Sequence, residues 1–456
     1  MEKNRNRYTF GLGTVGRDML YTMVSMYLMF YLTDILELSK GVLWWVTAIM
    51  LCARVFDALN DPIMGMIVDN TKSRWGRFKP WIVIGALLVS VFTILLFADF
   101  GLKDTAFIIS FAVIYLLWGI SFTMNDISFW SLLPTLSQDQ KEREKIGSVA
   151  RICANVGLFL VVALIVPITE ALGTLLGSSQ KGYFALAIIL VVIMLVFQSI
   201  SVFGVKEPKE NIAPKKEKTS LKELVKVIFL NDQLLVASIS MALFMIGYCT
   251  TTNFGLYYFK YVYGDEGMYS IFAVILGVSQ IAALVIFPML SKKYNRRTLY
   301  LFATGLVVIG YIIFFFAPTN TMLFIGISGV LLFVGQAFIQ LMMLMFLTDS
   351  VEYGEWKFGK RNDSITLSLQ PFINKMGGAI ASGITGAVVI ISGMKEAQTA
   401  ADMTQEGLLI LKGAMLILPL ICILVGFLIW RAKYILDEKM YAKIVEEIHE
   451  RNITKG

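Results

Sequence analysis

Apolar residues run along this chain in long blocks, parted by short polar stretches. A helix rises about 1.5 Å per residue, so crossing about 30 Å of hydrocarbon takes about 20 residues. Twelve segments reach that length: 8–36, 41–69, 79–99, 105–137, 145–172, 181–204, 234–263, 266–290, 298–316, 321–349, 363–393 and 406–432. The runs are continuous and do not alternate, which predicts helices over barrel strands. Lipid also offers backbone groups no partner outside their own segment. The short basic start MEKNRNR leads straight into a span carrying Asp18, so it reads as a retained helix and not as a cleaved signal peptide.

The longest polar interruption is KEPKENIAPKKEKTSLKELVK, 206–226, with six spans on either side. The pattern predicts an all-α membrane protein of twelve transmembrane helices in two six-helix bundles, the plan of the major facilitator fold, in which the substrate lies near the midplane. The expected divisions are a first bundle over 1–205, a cytoplasmic linker over 206–230, a second bundle over 231–434 and a cytoplasmic tail over 435–456. The tail segment YILDEKMYAKIVEEIHE mixes charged and apolar residues and predicts a short amphipathic helix lying on the membrane surface.

Composition agrees with the pattern: 57% of residues are hydrophobic and 16% charged, and the mean hydropathy is +0.70. Placing the amino terminus, every second loop and the tail on one side collects most of the 40 Lys and Arg residues. The opposite loops then hold Lys40, Lys103, Lys181, Lys260 and Lys395. This bias puts both termini in the cytoplasm. It also accounts for the net charge of +7, so nucleic acid is not an expected partner. Cys52, Cys153, Cys249 and Cys422 sit singly in separate apolar spans, where packing is the expected role. The single histidine, His449, lies in the tail, which leaves the spans without a histidine proton relay or zinc chemistry. No nucleophile, base or cofactor motif is in view, so an enzyme is not expected, and neither is a cofactor.

A charged side chain at mid-membrane costs about 2.5 to 3.5 kcal/mol on insertion scales, so each one needs a reason. Arg17, Asp18, Arg54, Asp57, Asp61, Asp126, Arg151 and Lys375 all fall inside spans. The set is nearly balanced, so charge count alone allows ion pairs that merely fasten helices. Its distribution argues against that, because the deep acids all belong to the first six spans.

In ARVFDALNDP, residues 53–62, Asp57 and Asp61 are four apart and Asn60 lies three after Asp57, so all three share a helix face. Two carboxylates and an amide oxygen form a hard-oxygen cluster suited to a small monovalent cation or a proton. Like charges that close repel unless one is protonated or a cation lies between them. Pro62 is placed to bend the helix there. In SFTMNDISFW, Thr123 precedes Asp126 by three and Trp130 follows it by four. Indole stacks on sugar C–H faces, and carboxylate and Arg hold sugar hydroxyls, so Asp18, Asp126, Trp130 and Arg151 read as a sugar clamp.

ARVFDALNDPIMG, SRWGRFKPW, FWSLLPT and DSVEYGEWK together resemble the glycoside-pentoside-hexuronide:cation symporter family, most of all its melibiose permease branch. The resemblance implies that Asp57 and Asp61 bind Na+, Li+ or H+, with Asn60 and Thr123 as accessory oxygens. It puts sugar contacts at Asp18, Asp126, Trp130, Arg151 and Lys375, with Arg17 and Gln370 close by. It further implies alternating access in which cation binding raises sugar affinity. The chain departs from the family pattern at Arg17, where the family has Lys, at Ser25 and Phe122, where it has tyrosines, and at Pro371, where it has Thr. The cation ligands are intact while the sugar's surroundings are altered.

The expected function is cation-coupled import of a glycoside or oligosaccharide, an α-galactoside such as melibiose or raffinose, in the bacterial cytoplasmic membrane by a single chain. The alternatives are a carrier of a β-galactoside, glucuronide or pentoside, and a sugar sensor that does not transport. The coupling cation, Na+, Li+ or H+, is left open by the residues, because a carboxylate cluster serves each of them.

Overall fold

The computed structural model describes residues 2–206, 228–265, 267–319, 321–394, 397 and 399–455. Most of the expected linker, 207–227, lies outside the described residues. Among the described residues every regular element is helical. The first is α1 (Glu2–Thr22), which continues through the π-helical turns Met23–Tyr27 and Tyr31–Ile35. It is followed by α2 (Lys40–Asp69), α3 (Lys79–Phe97), α4 (Asp104–Trp130), α5 (Gln140–Leu176) and α6 (Ser179–Gly204). Then come α7 (Asp232–Tyr257), α8 (Met268–Lys293), α9 (Arg296–Phe316), α10 (Met322–Phe358) and α11 (Asp363–Ile391). The last two are α12 (Gln405–Lys433), which contains a π-helical turn at Gly413–Ile417, and α13 (Glu438–Lys455).

Ten of these helices are long and apolar enough to cross a membrane. The chain is a multi-pass membrane protein. α1 and α11 are not among the ten, and they are the helices whose apolar runs are broken by Arg17 and Asp18 and by Gln370, Asn374 and Lys375.

Helix starts follow side-chain caps that satisfy the first backbone N–H groups. Asp139 accepts from Lys141 N at α5, Asn231 from Leu234 N at α7, and Asn295 from Thr298 N at α9. α5 and α10 outrun their expected spans because charged residues at their ends are satisfied inside the protein. α5 begins five residues early: Glu142 accepts from Arg7 at 2.8 Å, and the fully buried Arg143 donates to the Ser137 carbonyl at 3.0 Å. α10 runs on to Phe358, with Asp349 paired to Arg296, and Glu352 and Glu355 to Arg361. Pro62 lies inside α2 without ending it.

Two compact units are distinguished by their internal contacts. The first comprises Met1–Leu224 with Asn362–Ser368, and the second Val225–Arg361 with Leu369–Gly456. In the first, α1 packs on α5 and α6, and α4 on α2 and α3. Close approach demands glycine: a Cβ on Gly16 would lie 2.5 Å from Met194 Cα, and one on Gly157 2.4 Å from the Val15 carbonyl. Arg77 of SRWGRFKPW pairs with Asp363 at 3.0 Å inside this unit.

In the second unit α10 packs on α7, α8 and α9, and its segment Leu341–Val351 is buried throughout. The tail is helical, as the sequence pattern predicts, and it also finds partners in the protein. α13 packs on α10 with Tyr441 and Ile444 buried. Glu447 accepts from the Trp356 indole at 2.6 Å, and Arg451 donates to the Trp356 carbonyl at 2.7 Å. Its apolar positions are thus satisfied by protein.

Candidate functional site

α2 and α4 meet in three successive rungs. Arg54 interacts with the Tyr115 hydroxyl. One turn on, Asp57 lies against Gly119: a Cβ there would stand 2.7 Å from Asp57 Oδ1 and 3.0 Å from Oδ2. One turn further, the Thr123 hydroxyl donates to Asp61 Oδ1 at 3.2 Å. The i, i+4 spacing on both helices produces this register, since Asp57 and Asp61 face Gly119 and Thr123 in order. Asp61 is fully buried, Thr123 nearly so, and Asp57 and Asn60 half-buried.

No group of three or more His, Cys, Asp or Glu residues able to hold a metal occurs among the described residues. Any cation here would therefore take at most two carboxylates and complete its shell with hydroxyl, amide or carbonyl oxygens. That donor set suits a monovalent hard ion or a proton.

A second group sits on the neighbouring turns. Arg17 of α1 is buried, and its Nη2 donates to Asp18 Oδ2 at 2.8 Å. Its Nη1 pairs with Asp126 Oδ1 of α4 at 2.9 Å. Each carboxylate keeps an accessible part, 26% of the Asp18 side chain and 17% of the Asp126 side chain, so both can still face a ligand. Arg151 of α5 lies within electrostatic range of Asp18 and Asp126. Its Nε has no hydrogen-bond partner among the described residues. Two carboxylates and a guanidinium with spare donors form a set that holds vicinal hydroxyls.

Two aromatic residues flank this group, Trp130 on α4 and Tyr21 on α1. Trp130 is only 5% exposed, with the Arg151 guanidinium 4.8 Å and that of Arg17 5.4 Å from its ring centre. Its indole serves the arginines through cation–π contacts. Tyr21, one turn after Asp18 on α1, is 39% exposed. The spacing pattern gave no prominence to Tyr21 or Gly119. The signals were their offsets, three after Asp18 and four before Thr123.

Gln370 and Lys375 stand on α11 in the second unit, Gln370 buried and Lys375 half-buried. Gln370 Oε1 and Asn374 Oδ1, one turn apart, are buried without hydrogen-bond partners among the described residues.

Residues 9–438 match the family model described as MFS/sugar transport protein. The chain is 32% identical to the lactose permease of Lactobacillus delbrueckii subsp. bulgaricus, over 97% of this chain and 72% of that one. It is 32% identical to the raffinose carrier protein of Pediococcus pentosaceus, over 98% and 72%. It is 28% identical to the isoprimeverose transporter of Lactiplantibacillus pentosus, over 85% and 80%. These relatives agree with the resemblance to the glycoside-pentoside-hexuronide:cation symporters. Among solved structures, the Escherichia coli fucose:proton symporter superposes with a TM-score of 0.68 at 13% identity, over 95% of this chain and 98% of that one. The fold is that of the major facilitator transporters.

Proposed function

We propose that this chain, which belongs to the MFS/sugar transport protein family, imports a galactoside across the bacterial cytoplasmic membrane by symport with Na+, Li+ or H+. Lactose and raffinose, named in two of its relatives, both end in a galactosyl group. An α-linkage, as in melibiose and raffinose, is the first choice, and the lactose permeases among the relatives favour a β-linked substrate as the second. One observation carries the reading: α4 presents Thr123 to Asp61 and, three residues on, Asp126 to Arg17 and Asp18.

In this reading Asp57 and Asp61 hold the cation, with Thr123 and Asn60 as accessory oxygens. Asp18, Asp126 and Arg151 hold sugar hydroxyls, while Arg17 and Trp130 fix the carboxylates and the arginine. Gln370 and Lys375 contribute from α11. The positive loops keep both termini in the cytoplasm, a single chain is the transport unit, and the cycle is alternating access.

Uptake into membrane vesicles under imposed Na+ or proton gradients tests this. Accumulation of labelled melibiose, raffinose or lactose is expected with one gradient and is lost in Asp57→Cys. Accumulation that survives Asp57→Cys refutes the cation assignment. Counterflow with the same three sugars separates the linkages.

A further inference from the structure

The sugar reading of Asp18, Asp126 and Arg151 leaves open which surface receives the apolar face of the ring. A galactopyranose presents several C–H bonds on one face, and an aromatic ring is the usual complement. Trp130 cannot offer that surface while Arg17 and Arg151 lie over it and 5% of it is exposed. Tyr21 can. Its ring packs on Phe122, centroids 4.7 Å apart, and lies nearly parallel to Trp118 at 6.2 Å and 19°. Behind them the α4 aromatics Phe111, Tyr115, Trp118 and Phe122 stack in series at 5.5 to 6.0 Å. The Trp118 indole is tied to Thr93 at 3.0 Å, so the column has a fixed base.

Tyr21 is accessible yet stands among ionisable groups. Its hydroxyl lies within electrostatic range of Arg54, Asp126, Asp57 and Asp18. A lipid-facing surface does not collect four ionisable groups, because each costs several kcal/mol in hydrocarbon. A core position would not leave 39% of the residue accessible. Asp18 and Ser25 flank Tyr21 at helical spacing and are themselves partly accessible.

We propose that Tyr21 is a sugar-contact residue: its ring, backed by Phe122 and Trp118, takes the apolar face of the galactosyl group, and its hydroxyl hydrogen-bonds a sugar hydroxyl. This rests on the sugar reading of the neighbouring carboxylates. It makes the aromatic wall of the site a feature of α1, with the α4 tryptophan as scaffold for the arginines. A phenol also offers a donor and an acceptor where indole offers a donor alone, so it discriminates among hydroxyl orientations.

The test is equilibrium binding of melibiose, raffinose and lactose to the purified full-length protein at saturating Na+ and at low pH without Na+. The sugar that the wild type binds is then measured in Tyr21→Ala, Tyr21→Phe, Tyr21→Trp, Trp130→Phe and Asp126→Asn. Tyr21→Ala is expected to weaken binding by about 10- to 100-fold, and Tyr21→Phe by about 3- to 10-fold, the scale of one ring and one hydrogen bond. Tyr21→Trp should recover most of the loss, and Trp130→Phe should cost less than Tyr21→Ala. Thermal unfolding midpoints within a few degrees of wild type show that the variants are folded. Loss of binding in Asp126→Asn with wild-type affinity in Tyr21→Ala overturns the proposal and keeps the sugar site. Wild-type affinity in Asp126→Asn overturns the sugar reading itself, and with it the proposal, as does a wild type that binds none of the three sugars.

Discussion

Gly119→Ala is the sharpest perturbation the structure offers, because it adds one carbon and no charge. The new Cβ would stand 2.7 Å from Asp57 Oδ1, 3.0 Å from Oδ2 and 3.2 Å from Cγ. Relief needs a displacement of about half an ångström or more, since non-bonded heavy atoms settle at about 3.5 Å. Only two movements provide it. The Asp57 carboxylate swings away from its present place, or α4 backs off and takes Thr123 with it, four residues further on. Either movement spoils the oxygen set proposed for the cation. Overpacking of this kind costs about 1 to 3 kcal/mol, which at 1.4 kcal/mol per tenfold is about 5- to 150-fold in affinity. The readout is the cation concentration that half-maximally stimulates sugar binding. Gly378→Ala, where an added Cβ meets nothing within 4 Å, is the control. A Gly119→Ala protein with the wild-type half-saturating concentration would refute the assignment of Asp57 to the cation.

Thr123→Val removes the 3.2 Å donor to a buried carboxylate; such bonds are worth about 1.5 to 3 kcal/mol. It should raise the half-saturating cation concentration about 10- to 150-fold, with Thr123→Ser restoring it. Arg17→Gln strands Asp18 and Asp126 together and should lower the thermal midpoint markedly, since breaking a buried pair costs about 3 to 5 kcal/mol. Arg17→Lys should fall between, because an ammonium cannot reproduce contacts at both 2.8 Å and 2.9 Å with the same geometry. Trp356→Phe deletes the 2.6 Å donor to Glu447 and should cost about 1 kcal/mol of stability with transport unchanged. The factor by which cation raises sugar affinity must equal the factor by which sugar raises cation affinity, and unequal factors would exclude a single coupled binding equilibrium.

The helices were legible where apolar length alone decides them, and less so where charge is satisfied inside protein. Hydropathy ends a span at its charges, so it could not extend α5 over Glu142 and Arg143 or α10 over Glu352 and Glu355. The structure pairs Asp61 with Thr123 across α2 and α4, two residues that the family resemblance had grouped. Arg17 was placed only near the sugar residues, whereas the structure makes it the group that joins Asp18 to Asp126. Nothing in a one-dimensional pattern reveals that two guanidinium groups cover Trp130. Tyr21 is one of 18 tyrosines, and its offset from Asp18 singles it out only together with its accessibility.

The coupling that the proposed function requires has a basis in α4, which carries residues of both groups. α1 is fixed against α5 and α6 by contacts that admit no side chain, at Gly16 and Gly157. α4 meets α2 instead through a glycine, a threonine and two carboxylates, a contact whose energy changes with whatever lies between those oxygens. α4 is itself held on α3, where a Cβ on Gly85 would lie 2.7 Å from Asn125 N, so a change of charge at Thr123 meets Asp126 within one helix, three residues or about 4.5 Å along the axis. Arg17 of α1 bridges Asp126 of α4 and Asp18 of its own helix. In the proposed function, cation occupancy at Asp57 and Asp61 would reach the sugar carboxylates through Thr123, Asp126 and Arg17. Substitutions at Tyr21 should therefore alter sugar affinity and leave the coupling factor alone, while those at Arg17 or on the α2 face of α4 should alter the coupling factor itself.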